Sequence, residues 1–131
     1  PAIWRRAFAD IASSALGLNY DPSHFVVLDM DPLSPLEEFK DRLFHLHAKD
    51  VQIDRAALDE VGRFDFPNRW HHPRIPGYGE IDWTRYMAEV QRVGYDGPIC
   101  IELEDETFGR SLEGRQRALR VARNLLVPFM G

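Results

Sequence analysis

Short stretches with the two-residue periodicity of strands alternate along this sequence with stretches of helical periodicity. The strand-like stretches are Leu16–Asp21, Phe44–His47 and Pro98–Leu103. The helix-like stretches cover residues 2–12 and then begin at Ser34, Asp82 and Ser111. Strands that alternate with helices form parallel sheets with right-handed crossover connections. The pattern therefore predicts an α/β fold with about three parallel strands and flanking helices.

Residues 51–80 interrupt this alternation. They contain few periodic apolar residues and several turn formers, among them Pro67, Asn68 and Gly79. We predict a long loop here, and loops of this length in compact domains are often functional. His71 and His72 within it are expected to be solvated.

Composition narrows the classes of function. The chain has 131 residues, enough for one domain over 1–131, and a net charge of −5 that disfavours a nucleic-acid surface. No apolar run approaches the roughly 20 residues that span a bilayer, so we expect no membrane partner. The single cysteine, Cys100, excludes an intramolecular disulfide and fits a reducing, cytoplasmic compartment.

The stretch FHLHAKD, Phe44–Asp50, contains two histidines that are two residues apart. Side chains alternate between the faces of a strand, so Phe44 and Leu46 are predicted on one face and His45 and His47 on the other. His45 lies deeper in the strand, and we expect it to pack or to support the site from behind. His47 lies near the strand end, where ligand sites of such folds occur.

Each of the three predicted strands ends in a metal-ligand residue type. These residues are Asp21, His47 and Glu102, all on the polar face of their strands. A carboxylate between Ile101 and Leu103 is costly unless it is paired or coordinated. Asp21 is also a candidate turn or helix-capping residue. Mixed oxygen and nitrogen ligands favour Mn²⁺, Mg²⁺, Co²⁺ or Zn²⁺.

Other polar residues surround this candidate site. His24 follows Asp21 in the motif DPSH and can point back towards the same space. Asp50 could support the site or pair with Lys49 or Arg74, and the sequence leaves these options open. Beyond Glu102, the acidic residues at 104–106 are expected to belong mostly to a solvated loop.

Four spaced motifs, LGLNYDPSH, FHLHAKD, RIPGYGEIDW and GYDGPICIELED, resemble the C-terminal half of the xylose-isomerase-like TIM barrels. This superfamily includes sugar phosphate isomerases and epimerases and the apurinic-site endonucleases. The resemblance implies a (β/α)8 barrel with a divalent metal near its axis. It implies Asp21, His47 and Glu102 as metal ligands, Glu102 also as catalytic base, and His24 and, more loosely, Arg74 as substrate-binding residues.

By that resemblance the function is isomerisation or epimerisation of a sugar or sugar phosphate, by proton abstraction next to a carbonyl through an enediolate. A whole barrel needs about 250 residues, so this chain supplies only about three of its strands and lacks the family's first metal-binding Glu. Open sheet edges invite pairing, and we expect a homo-oligomer.

Two alternatives remain open. The apurinic-site endonucleases bind three zinc ions and need an Asp-x-His pair in the long loop, where this chain has WHHPRIPG. The other alternative is a half-barrel without catalytic activity.

Overall fold

A computed structural model describes residues 1–67 and 69–130 of the chain, and the predicted turn former Asn68 lies outside them. The strands are β1 Leu18–Tyr20, β2 Leu43–Ala48, β3 Asp50–Ile53, β4 His71–Arg74 and β5 Ile99–Ile101. The helices are α1 Ala2–Asp10, α2 Pro22–Val27, α3 Ser34–Glu38, α4 Arg55–Val61, α5 Trp83–Arg92, α6 Glu106–Gly109 and α7 Leu112–Leu126. Short 3-10 turns cover Lys40–Arg42 and Val127–Phe129.

The three predicted strands form one parallel sheet in the order β1-β2-β5, which confirms the predicted α/β class. In the register, Tyr20 lies opposite Leu46 and His47 lies opposite Cys100. The backbone N–H of Glu102 donates to the carbonyl of Ala48 at 3.2 Å, one step beyond the last paired residues. The carboxyl ends of all three strands therefore meet at one edge of the sheet.

Helices cover one face of this sheet and leave the other face polar. The principal core includes Tyr20, Leu46 and Ala48 from the strands, with Met87 of α5 and Leu126 of α7. Burying a large apolar side chain of this kind contributes roughly 1.5–3 kcal/mol. The opposite face carries side chains that are partly or fully exposed, namely Asn19, His45, His47 and Cys100. Among the described residues, no helix combines the length and apolar character that a bilayer crossing requires.

The prediction of a continuous loop over residues 51–80 is wrong. This segment contains most of β3, then α4 and β4, and β3 pairs with β4 in an antiparallel ladder. Val51, Ile53 and Trp70 form a small core of their own beneath it. Two strands of four residues are too short for a periodic signal, and Pro73 in β4 is a residue type that argues against a strand. The six-residue helix α2 escaped prediction for the same reason of length.

Phe44 is also placed differently from the prediction. Leu18 pairs with Leu43 while Asn19 pairs with His45, so Phe44 is an extra residue in β2 at a β-bulge. Because a bulge changes which face the preceding residues occupy, Leu43 is buried with Leu46, whereas the Phe44 side chain is 48% exposed. Phe44 instead lies over Gly17, where any Cβ would collide with its ring.

Candidate metal centre

Asp21, His47 and Glu102 converge at the carboxyl edge of the sheet. Each offers one ligand atom, and the three atoms lie within 4.8 Å of one another. His47 Nδ1 is 3.7 Å from Asp21 Oδ2 and 3.1 Å from Glu102 Oε2. Two carboxylate oxygens and an imidazole nitrogen at this spacing are a donor set for a hard or borderline divalent cation.

The two oxygens of Asp21 have different surroundings. Oδ1 accepts hydrogen bonds from Ser23 N at 2.8 Å and Ser23 Oγ at 2.6 Å, so Asp21 is the N-cap of α2. Pro22 at the first helical position fixes the backbone there. This arrangement fixes the carboxylate and directs Oδ2 towards His47. Asp21 thus combines the two roles that the sequence left as alternatives, a helix cap and a donor facing the site.

Two oxygens of this cluster are buried without a hydrogen-bond donor of good geometry: Asp21 Oδ2 and Glu102 Oε2. Both still lie within ion-pair distance of the Lys49 ammonium. Buried carboxylate oxygens normally accept hydrogen bonds or bind a cation. Both oxygens also lie within 3.7 Å of His47 Nδ1. The three donors present therefore fit a divalent metal ion, which would be held by Asp21, His47 and Glu102.

Asn19 fixes the far side of the His47 ring. Its side-chain nitrogen lies 3.1 Å from His47 Nε2, while Nδ1 faces the two carboxylates. When the oxygen and nitrogen of the Asn19 amide exchange places, the oxygen accepts a hydrogen bond from Nε2–H. The His47 proton then sits on Nε2, and the lone pair of Nδ1 is free for a metal. Asn19 is not among the site residues predicted from the sequence. Its spacing two residues before Asp21 is the signal that could have identified it.

Lys49 is a charged side chain of the candidate site that was not predicted from the sequence. It follows β2 directly, and its ammonium lies 3.0 Å from Asp21 Oδ2 and 2.9 Å from Glu102 Oε2. Burial by itself lowers the pKa of Lys49, but contact with Glu102 and Asp21 outweighs burial and raises the pKa above its usual value. Lys49 therefore carries a positive charge inside the carboxylate cluster.

His24 and Arg74 lie differently with respect to this cluster. His24 Nε2 is 3.6 Å from Asp21 Oδ2 and 3.5 Å from Lys49 Nζ, so it borders the centre, with a side chain that is mostly exposed. The Arg74 guanidinium instead binds the side chains of Gln52, Asp105 and Thr107. Its donors are largely engaged by the protein itself.

A polar cavity of about 650 Å³ adjoins the centre. Its lining comprises His71, His72, Pro73, Arg74, Glu104, Glu106, Thr107 and Arg110. Glu104 connects it to the cluster, because Glu104 Oε2 lies 3.5 Å from Lys49 Nζ. Burial, and next the neighbouring His72, lower the pKa of His71 below its usual value. The cavity offers room and polar side chains for a small hydroxylated molecule.

Two acidic residues near the centre have structural partners. Asp50 pairs with neither Lys49 nor Arg74: its carboxylate accepts from the backbone of the segment 77–81 and from the Trp83 indole. Asp105 is 1% exposed, so the prediction that the acidic stretch after Glu102 is solvated is wrong at this position. Asp105 caps α6 and accepts hydrogen bonds from Arg74 and from Ile75 N.

A parallel sheet covered by helices, with metal-ligand residues at its carboxyl edge, is the architecture of a (β/α) barrel segment. The profile of the xylose isomerase-like TIM barrel family matches residues 2–125. The chain belongs to this family, as the resemblance in the sequence predicted.

Solved structures support the fold. The crystal structure of a xylose isomerase domain protein from Planctomyces limnophilus superposes with a TM-score of 0.71 at 22% identity. The match covers 98% of this chain and 44% of that chain. The similarity is one of fold, and it corresponds to part of a barrel.

Among curated proteins, the chain is 31% identical over 101 residues to the uncharacterized protein YfiH of Bacillus subtilis, covering 71% of this chain and 32% of that protein. It is 31% identical to an inosose dehydratase of Lacticaseibacillus casei, covering 70% and 31% of the two chains. It is 30% identical to a 3-dehydroshikimate dehydratase of Pseudomonas putida, covering 86% and 16%. The chain thus spans a third or less of the length of these relatives.

Proposed function

We propose that this chain supplies the metal-binding and proton-abstracting part of an enzyme that acts on a polyhydroxylated carbonyl compound and removes water from it. The observation that carries the proposal is the convergence of Asp21, His47 and Glu102. Two of their buried oxygens lack a hydrogen-bond donor of good geometry and are paired with the Lys49 ammonium. A divalent cation held there would supply a Lewis acid for the substrate's carbonyl oxygen.

Glu102 is the proposed base. Its side chain is 31% exposed, so it can reach a substrate as well as the cluster. The Glu102 carboxylate takes the proton from the carbon next to the carbonyl, and the C–H electron pair forms the enolate. When the enolate collapses, the bond from the adjacent carbon to its hydroxyl breaks, and the proton on Glu102 passes to the leaving oxygen. The products are an unsaturated carbonyl compound and water.

The names of the relatives favour loss of water as the outcome, because both named enzymes among them are dehydratases. Isomerisation or epimerisation of a sugar is the second candidate, favoured by the family profile. It begins with the same proton abstraction but requires the proton to return to a different carbon or face. The first step is shared, so Glu102 has the same role in both reactions.

The experiment replaces the base with its neutral isostere. Glu102→Gln is assayed in the assembly or longer polypeptide that completes the barrel, with inosose and 3-dehydroshikimate as probes in D₂O. We expect the rate to fall by about 10²- to 10⁴-fold, while Glu60→Gln, an exposed substitution on α4, has no effect. A product that has lost water supports dehydration, and substrate-sized product carrying deuterium supports isomerisation. An unchanged rate in Glu102→Gln would refute the assignment of the base.

Among the described residues, Asp21, His47 and Glu102 form the one group of three or more candidate ligands in ligating distance, and His71 and His72 lie outside it. This supports one metal ion per site, and it argues against the three-zinc nuclease alternative. Metal analysis of the purified protein tests it. One ion per site is expected, and three would favour the nuclease.

We further propose that the sheet is completed by another polypeptide unit, in the simplest case a second copy of this chain. In the described part of the chain, β1 and β5 each pair with a single strand. An apolar groove of about 510 Å³ beside β1 includes the exposed side chains of Ile3, Leu28 and Met30. Light scattering at micromolar concentration should give a mass above that of one chain, and a uniform monomer would contradict the expected oligomer.

A further inference from the structure

Lys49 and a divalent cation would compete for the same two oxygens. The ammonium lies 3.0 Å from Asp21 Oδ2 and 2.9 Å from Glu102 Oε2, and these are the two buried oxygens that lack a hydrogen-bond donor of good geometry. The Lys49 side chain is only 8% exposed, so it is not a solvated surface charge that happens to be nearby. Two positive charges that share one pair of carboxylates in a partly buried site repel each other strongly.

A third carboxylate lies within reach of the same ammonium. Glu104 Oε2 is 3.5 Å from Lys49 Nζ, and the Glu104 side chain is 49% exposed and lines the polar cavity. The His24 ring also lies beside the ammonium, with its Nε2 3.5 Å away. A short rotation of the flexible lysine side chain would therefore keep its charge paired after it leaves Asp21 and Glu102.

We propose that Lys49 exchanges carboxylate partners when a divalent cation binds: it leaves Asp21 and Glu102 and pairs with Glu104 at the cavity. The inference rests on the proposed metal site and deepens it. Glu104 is then a positioning residue that receives the displaced ammonium. The exchange also brings a positive charge to the cavity wall, where it would face the oxygens of a hydroxylated substrate.

Lysine side-chain NMR tests the exchange directly in the unaltered protein. The sequence contains two lysines, Lys40 and Lys49, so a lysine-labelled sample gives two resolvable sets of side-chain signals. Lys40 pairs with Glu37 on the exposed surface and is an internal control. On addition of diamagnetic Zn²⁺, the Lys49 signals should shift and the Lys40 signals should not, and Asp21→Asn should abolish the shift. Stationary Lys49 signals at saturating Zn²⁺ would overturn the proposal.

Calorimetric titration with Zn²⁺ separates partner exchange from general electrostatics. Lys49→Met should bind Zn²⁺ at least about tenfold more tightly than the wild type, because no ammonium competes for the oxygens. Glu104→Gln should bind more weakly, and Lys40→Met should match the wild type. In the Lys49→Met background, Glu104→Gln should have little further effect, because Glu104 acts through Lys49.

Two results would overturn the exchange alone: Zn²⁺ affinity that does not rise in Lys49→Met, or a Glu104→Gln effect of equal size in both backgrounds. Either result is obtained only if Zn²⁺ binds, and Asp21→Asn shows whether that binding depends on Asp21. The metal site would then stand although the exchange fails. Failure of both the wild type and Lys49→Met to bind Zn²⁺ would instead reject the metal site and the exchange together. The NMR titration covers the case in which Lys49→Met does not fold.

Discussion

Two buried aspartates, Asp21 directly after β1 and Asp50 shortly after β2, differ in how many hydrogen-bond donors surround their carboxylates. Asp50, at the start of β3, is 0% exposed, and both of its oxygens accept hydrogen bonds. Its donors are Val51 N, Gly77 N, Gly79 N, Ile81 N and Trp83 Nε1, at 2.8–3.1 Å. Asp21 is 6% exposed, yet its Oδ2 lacks a hydrogen-bond donor of good geometry and faces Lys49, His47 and Glu102.

The difference distinguishes a carboxylate used for folding from one available for chemistry. Asp50 orders the segment 77–83 through three backbone donors and the Trp83 indole, and its remaining hydrogen bond comes from Val51 N. In Asp21, one oxygen caps α2 and the other faces the candidate site. Burial alone therefore does not identify a functional carboxylate, because the presence or absence of donors decides the role.

The largest expected effect is on stability at Asp50. Asp50→Ala leaves five donors without their acceptor, and we expect a loss of at least about 3 kcal/mol in the free energy of unfolding, measured in urea. Asp59→Ala, an exposed substitution on α4, is the control and should change stability little. If the two substitutions cost similar amounts, the carboxylate of Asp50 does not organise this segment.

Gly79→Ala should have the next largest effect. A Cβ at Gly79 would collide with Asp50 Oδ1 and with the carbonyl of Val51, so the segment must shift away from its acceptor. We expect a loss of about 2 kcal/mol by denaturant unfolding. Gly109→Ala is the matched control, because no atom lies within 4 Å of its added carbon. Equal stability of the two variants would contradict the close approach at Gly79.

At the candidate metal centre, the expected cost in stability is smaller and the expected effect on Zn²⁺ binding is larger. Asp21→Asn keeps a side-chain oxygen for the cap, and Glu102→Gln leaves Lys49 its pair with Asp21, so each should change stability by less than about 1 kcal/mol. In both variants the rise in Tm that Zn²⁺ causes in the wild type should disappear. A large loss of stability in both would mean that the cluster is structural, like Asp50.

The smallest expected effect is the pH dependence at His71. Burial and the neighbouring His72 lower the pKa of His71 in the folded state, while the unfolded value is about 6.5. Below that pH the unfolded chain binds the proton more readily, so His71 should reduce stability as the pH falls through 6.5 and have no effect above it. Melting curves at pH 7.5 and 5.5 should differ slightly less in His71→Gln than in the wild type. An identical pH dependence would contradict the lowered pKa.

The parts of the fold that sequence could predict are those with a repeated local signal. The alternating residues of Leu18–Tyr20 and Ile99–Ile101 and the caps at Asp82 and Ser111 are local patterns, and the structure has each of them in place. The pair β3–β4 escaped prediction because each strand has only four residues and gains its stability from the other.

The same reasoning applies to the candidate site. Asp21, His47 and Glu102 could be selected from the sequence, because each stands at the end of a recognisable strand. Lys49 could not, because a lysine after a strand is normally solvated, and its two partners lie 28 and 53 residues away along the chain.

The sequence by itself therefore determined the α/β class, the family and the three candidate donor residues at the strand ends. Only the tertiary structure decided which carboxylate oxygens receive hydrogen bonds. Those of Asp50 accept from five donors, whereas Asp21 Oδ2 and Glu102 Oε2, which face Lys49, have no donor of good geometry. The physical reason is that the periodicity of strands and helices is local, whereas the partners of a buried charge are fixed by sheet register and by segments distant along the chain.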